Sequence, residues 1–181
     1  YSTNALDSNY HALSNNTASL KSEVNSWTAG GSTCICCGIN KAVNALNSTS
    51  AAGKSKSIVL MSDGQPTVYC DNFNDYTGSG SGSSSDAIDR QWAIASACNA
   101  WQNYSIKVHA VGFGADADET TLQAIAACGN GSYYYSDADE LAAIYQQIAE
   151  SILAEYKEQT IFASGNISTI LYPDSYIEFT Y

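Results

Sequence analysis

The chain has 181 residues and carries 18 acidic against 7 basic side chains, a formal net charge of −11. That balance argues against nucleic acid as a partner and against docking on anionic lipid, because phosphates repel such a chain. Hydrophobic residues make up 45% and charged residues only 14%, so one domain with a full core is within reach and its surface must be built of Ser, Thr, Asn, Gly and Tyr.

From Tyr1 to Ala5 the chain reads as a loop or the tail of a strand. Leu20, Val24 and Trp27 then fall at helical spacing, with Asn15, Asn16 or Thr17 as the cap. A glycine hinge, Ala29-Gly30-Gly31-Ser32-Thr33, leads into a second helix with Ile35, Ile39, Val43 and Leu46 on one face and Asn47-Ser48-Thr49-Ser50 at its end. Next comes Ser57-Ile58-Val59-Leu60-Met61-Ser62-Asp63-Gly64. A short run that is apolar on consecutive residues predicts a strand buried on both faces of a parallel sheet. Asp63 falls where that strand ends, the edge at which open α/β sheets bind ligands. Asp-Gly is also a common turn pair, so Asp63 is either a loop cap or a candidate metal ligand or catalytic acid.

A long polar stretch, Gln65 to about Ser84, holds Cys70 and a Gly-Ser repeat; loops of that length are functional or mobile. Ser85 or Asp86 opens a helix expected to turn Ile88, Trp92, Ala95 and Cys98 inward. Ile106 to Phe113 is the next strand, with Val108, Ala110 and Gly112 on one face and His109 on the other. His109 reads as a half-buried packing residue, and His11 is equally isolated. Asp116-Ala117-Asp118-Glu119 is an acidic helix start rather than a calcium loop. That helix runs to Cys128, with Gly129 expected as a left-handed cap. Tyr133-Tyr134-Tyr135 is a short strand, and Ser136 caps a helix with the stripe Leu141, Ile144, Tyr145, Ile148, Ile152 and Tyr156. Beyond Gln159 the pattern turns β-like at 160–163, 169–172 and 176–181, with a turn at Pro173-Asp174-Ser175.

Asn-x-Ser/Thr glycosylation sequons stand at Asn15, Asn47, Asn103, Asn130 and Asn166. Together with an even count of 6 cysteines they point to an oxidising, extracellular setting and a surface glycoprotein. No apolar run approaches the roughly 20 residues of a membrane helix. The chain begins at Tyr1 rather than Met and shows no signal peptide, which reads as a processed or truncated product.

Alternating strands and helices predict an α/β fold with a doubly wound, mostly parallel sheet. Three of its stretches, in the right order, resemble the von Willebrand factor A (vWA) domain, in its surface or extracellular prokaryotic form. Gly30 to Ile39 is similar to the loop and helix start bearing the family's metal-site threonine, Ile58 to Pro66 to the strand bearing its metal-site aspartate, and Val108–Phe113 with Gly129–Tyr135 to its last two strands. The resemblance spans residues 1–156, leaving 157–181 as a β tail that belongs to an all-β module. It implies that Thr33 and Asp63 are parts of a metal-ion-dependent adhesion site for Mg²⁺ or Ca²⁺, hard cations that take oxygen ligands. The family's Asp-x-Ser-x-Ser motif, at the end of a first strand that lies beside the one ending at Asp63, is absent; Asp7-Ser8-Asn9-Tyr10 is not that motif. A second polypeptide is therefore expected to supply missing strands, either a precursor fragment or a neighbouring subunit, because lone strand edges invite pairing.

The cysteines predict a Cys98–Cys128 disulfide and a second joining Cys70 to one of Cys34, Cys36 and Cys37. The two clustered cysteines left over are expected to bond to the missing strands or to another subunit. The alternative is a thiolate metal site on Cys34, Cys36, Cys37 and Cys70, ranked below disulfides in an oxidising compartment. No Gly-x-Ser-x-Gly elbow, phosphate loop or His-Glu-x-x-His occurs, and an enzyme is not expected. The expected function is an extracellular or cell-surface adhesion or assembly protein, a subunit of a filament or pilus-like appendage acting through protein–protein interaction. The alternative is a Mg²⁺-dependent ligand-binding module whose site is completed by another segment or chain.

Overall fold

The structure is a computed structural model that describes residues 16–26, 30–48, 55–137, 140–163, 169–171 and 178–180, with side chains described as far as 154. Its elements in chain order are α1 (Thr17–Ser26), α2 (Ile35–Ser48), β1 (Lys56–Ser62), α3 (Ala87–Tyr104), β2 (Ile106–Phe113), α4 (Glu119–Cys128), β3 (Asn130–Ser136), α5 (Leu141–Ala163), β4 (Thr169–Leu171) and β5 (Glu178–Thr180).

β1, β2 and β3 form one parallel sheet in that order. Parallel neighbours need a crossover, and α3 and then α4 provide it. The register sets Ile58 beside Val108, Leu60 beside Ala110 and Ser62 beside Gly112. Ile58, Leu60, Ile106, Val108 and Ala110 bury one face of the sheet against Ile35, Ile39 and Val43 of α2, Ala93, Ala97 and Ala100 of α3, and Leu122, Ile125 and Ala126 of α4. The opposite face offers Val111 to Ile144 and Ile148 of α5, flanked by Met61, Tyr134, Leu141 and Ile152. With helices on both faces the sheet is doubly wound, as the alternation of elements predicts. Burying each of the Val, Leu and Ile side chains among them is worth about 1.5–3 kcal/mol relative to leaving it in water.

In α3 the inward set is displaced from the expected one. Ile88 is exposed, and Asp89, Ala93, Ser96, Ala97, Asn99 and Ala100 are buried. Small side chains win because α3 lies close to α2, α4 and the sheet, where a larger residue would not fit. Asp89 is buried because its carboxylate accepts the Asp86 N–H at 2.7 Å, one half of a capping box. Trp92 turns instead toward the ring of Phe73, 5.6 Å away edge to face.

Gly129 ends α4 but is not left-handed: its φ is −80°, and the following Asn130 takes the positive value of 50°. Glycine is needed there for space, since a Cβ would lie 2.6 Å from the Cβ of Val108.

The segment Thr160–Ala163, read as β-like, is the last turn of α5. A short apolar run cannot be told from a helix end by periodicity alone. β4 and β5 pair antiparallel, Thr169 beside Thr180 and Leu171 beside Glu178, as a separate two-stranded sheet. The turn expected at Pro173-Asp174-Ser175 lies outside the described residues, as do the first segment through Asn15 and Trp27.

β1 differs from the expected doubly buried strand. Ile58, Leu60 and Ser62 are buried, but Val59 is 37% exposed and Met61 half-buried. Among the described residues β1 pairs with β2 and with no other strand. Helix α1 is helical as its spacing predicts, yet it buries none of its residues, and Val24 is exposed.

Candidate functional site

Three segments converge at the C-terminal ends of the strands. The first precedes α2. Gly31, with φ at 79°, turns the chain, and Thr33 follows half-buried. The second is the turn after β1. The hydroxyl of buried Ser62 donates to the Gly64 carbonyl at 3.1 Å and accepts the Gly64 N–H at 3.4 Å, which folds the chain back and leaves Asp63 exposed between them. The third is the loop 65–84.

Thr67 stitches these together. Its hydroxyl accepts the Thr33 N–H at 2.8 Å, its own N–H donates to the Thr33 carbonyl at 2.9 Å, and its carbonyl accepts the Gly82 N–H at 3.1 Å. Gly82 lies so close over Ser32 that a Cβ there would collide with the Ser32 hydroxyl. Thr33, predicted from the α2 start, is thus bonded to Thr67, four residues along the chain from Asp63, predicted from the β1 end. Thr67 is the member that sequence reading missed; its only signal was its place in a polar loop four residues past Asp63.

The loop 65–84 is pinned throughout. Tyr69 and Ser79 exchange backbone hydrogen bonds of 2.8 and 2.7 Å. Asn40 of α2, buried, donates through Nδ2 to the carbonyls of Asn72 and Asp75 at 3.3 and 3.2 Å. The Lys41 ammonium sits 4.9 Å above the Tyr76 ring. Asp75 is the hub. Its carboxylate accepts from the N–H of Asp71, the N–H and hydroxyl of Thr77 and the N–H of Gly78. Burial raises the Asp75 pKa, but these hydrogen bonds outweigh it and hold the carboxyl below its ordinary value.

Beneath this loop the sulfurs are bonded as Cys34–Cys37, Cys36–Cys70 and, elsewhere, Cys98–Cys128. Cys98–Cys128 ties α3 to the end of α4 as expected, and Cys70 takes Cys36 from the cluster. The two remaining cysteines, expected to bond outside the chain, bond to each other instead. The physical signal was present: Cys34 and Cys37 are three apart at the first turn of α2, where such residues share a helix face. Closing a loop of 34 residues with Cys36–Cys70 is worth about 3 to 4 kcal/mol. Cys34, Cys36, Cys37, Cys70 and Val68 form their own buried cluster, with Trp92 against it.

Among the sequons, Asn47, Asn103 and Asn130 are exposed, near the ends of α2 and α3 and at the start of β3, while Asn15 and Asn166 lie outside the described residues. Asn103 donates to Asn99 Oδ1 at 2.8 Å. His109 is fully buried rather than half-buried, and its Nδ1 accepts the Ser132 N–H at 3.2 Å, a link between β2 and β3. His11 is outside the described residues.

The donors fit a hard cation in kind. The Thr33 hydroxyl and the Asp63 carboxylate are oxygen ligands, and no described residue donates to the Asp63 carboxylate, which leaves it available. The Asp-x-Ser-x-Ser donors that would complete such a site are not in this sequence.

The family model for the von Willebrand factor type A domain matches residues 2–148. No curated protein matches the chain significantly. Among solved structures, the chain resembles an aerotolerance-related membrane protein from Bacteroides fragilis, at TM-score 0.54 and 19% identity over 77% of this chain and 70% of that one. It also resembles the conserved hypothetical protein BatB from Bacteroides thetaiotaomicron, at TM-score 0.55 and 17% identity over 79% of this chain and 70% of that one. A third likeness is to the pilus adhesin SpaC from Lactobacillus rhamnosus GG, at TM-score 0.50 and 18% identity over 77% of this chain and 21% of that one. At such identities these likenesses speak to fold. The sheet of β1, β2 and β3, the helices on both its faces and the match over residues 2–148 agree, and the chain belongs to the von Willebrand factor type A domain family.

Proposed function

We propose that this chain is the partner-holding domain of an extracellular or cell-surface adhesion or assembly protein, a non-enzymatic component of a surface filament or appendage. Domains of this family generally serve protein–protein interaction. The observation that carries the proposal is the open side of β1, the strand that ends at Asp63. Among the described residues no strand pairs with it on that side, and Val59 is 37% exposed beside it. Such an edge is a template for an added strand. The exposed sequons Asn47, Asn103 and Asn130 and the three internal disulfides support an oxidising setting. The two-stranded sheet of β4 and β5 supports a second attachment, to a β module.

Cross-linking the chain at Lys56, the first residue of β1, in material purified from its source tests the proposal. Lys56 is expected to link to a strand segment outside the described fold. Links confined to α2, α3 and β2 would reject it.

The exposed Asp63 carboxylate, to which none of the described residues donates, and the Thr33 segment held by Thr67 favour one refinement, in which Mg²⁺ or Ca²⁺ bridges this edge to an acidic group on the partner. EDTA and Asp63→Ala are then expected to weaken partner binding to the same extent. Binding indifferent to both would discard the cation and leave the strand-pairing proposal standing.

A further inference from the structure

We infer that Cys34, Cys36, Cys37 and Cys70 form a redox-gated site that, once reduced, binds a single thiophilic cation such as Zn²⁺ in a tetrahedral cage of four sulfurs. The inference does not rest on the partner-binding proposal. All four side chains are buried, and their sulfurs lie within 4.8 Å of one another. Cys98–Cys128 belongs to no such cluster. Here the two bonds are pressed side by side: Cys34 Sγ lies 3.7 Å from Cys36 Sγ, and Cys37 Sγ lies 3.8 Å from Cys70 Sγ. A zinc–sulfur distance of about 2.3 Å makes the edge of a regular sulfur tetrahedron about 3.8 Å. Two edges of the cage are therefore already at length, and reduction frees the two bonded pairs to open to the same separation.

The surroundings favour thiolates. The Cys37 N–H donates to Cys34 Sγ at 3.3 Å, across the first turn of α2, where the unpaired N–H groups of the helix favour negative charge. Gly78, at φ 68°, brings its backbone over the sulfurs; a Cβ there would lie 2.9 Å from Cys34 Sγ and 3.2 Å from Cys37 Sγ. The spacing is apt as well. Cys34-Ile35-Cys36-Cys37 contains the Cys-x-x-Cys pair common to structural zinc sites, and Cys70 reaches in from the loop 65–84. Disulfide and metal would pin that same loop to α2, so a change of redox state would exchange the clasp while keeping the loop attached.

The chemistry balances with a dithiol as reductant. Two dithiol molecules each reduce one disulfide, passing two electrons and two protons to the protein and closing to their own cyclic disulfides. The resulting tetrathiol then loses four protons as it takes up one divalent cation.

The test is a Co²⁺ titration of the full chain, reduced by a dithiol that is then removed without oxygen, followed by displacement with Zn²⁺. One equivalent of Co²⁺ is expected to give the intense visible bands of tetrahedral thiolate cobalt, and Zn²⁺ to abolish them. Cys70→Ser is expected to lose the four-sulfur spectrum, and the double variant Cys98→Ser/Cys128→Ser to keep it. The wild-type chain in denaturing urea is expected to bind more weakly, because the folded scaffold gathers the sulfurs. The inference is overturned by weak octahedral absorption alone, by an unchanged spectrum in Cys70→Ser, or by equal affinity in urea. Circular dichroism of each variant separates a lost ligand from a lost fold, and the wild-type comparison in urea stands without any variant.

Discussion

Asp75 holds the loop over the site. Four hydrogen bonds from Asp71, Thr77 and Gly78 converge on one carboxylate whose pKa they lower. A depressed folded-state pKa means that the charge stabilises the fold fully above the unfolded carboxyl's pKa of about 3.9, and that this contribution is lost as pH falls through the lower folded value. Asp75→Ala is expected to cost about 1 kcal/mol at neutral pH, small because solvent screens a partly exposed group. Its difference from wild type is expected to vanish in melts carried out in strong acid. A constant difference from pH 7 into that range would contradict the assignment. Gly129 makes a second case. Its φ of −80° suits any residue, and the obstacle is Val108. Gly129→Ala is expected to destabilise by about 1–3 kcal/mol through overpacking. Val108→Ala in the same chain is expected to recover part of that loss, read by a double-mutant cycle in urea. Residue identity alone could not reveal this: a glycine after a helix suggests a left-handed cap, and only the approach of β2 shows that space is the constraint.

The elements were legible wherever periodicity was strong. Ile35, Ile39 and Val43 mark α2, and Ile144 and Ile148 mark α5, because a period near 3.6 has one packing solution. Legibility failed in α3, where burial follows small volume rather than hydrophobicity, and at Thr160–Ala163, where a β-like run only continues a helix. The site was half legible. Thr33 and Asp63 sit in recognisable contexts, whereas Thr67 bonds across 34 residues of sequence and leaves no local mark. The Cys34–Cys37 pair was readable from helix geometry but was masked by the adjacent Cys36. The packing of α4 against the sheet sets the scale of element stability. Ile125→Ala is expected to cost about 2–5 kcal/mol in denaturant melts, since fully buried Ile125 lies within the main core cluster. Leu153→Ser, at an exposed position of α5, is expected to stay within about 0.5 kcal/mol of wild type. Equal effects at the two positions would contradict the assigned core.

At the scale of the whole molecule, the described sheet ends at the strand that carries Asp63. The family places a first strand beside it, with the Asp-x-Ser-x-Ser motif that this sequence lacks. The proposed function as a partner-holding domain rests on that juxtaposition: one added segment would pair with the β1 edge left without a strand among the described residues and would complete the two oxygen donors. Intact-mass analysis and N-terminal sequencing of the native assembly test this most directly. The expected result is a segment bearing Asp-x-Ser-x-Ser that travels with this chain, as a separate peptide or joined to it. A native assembly in which no such segment accompanies the chain would contradict the proposal.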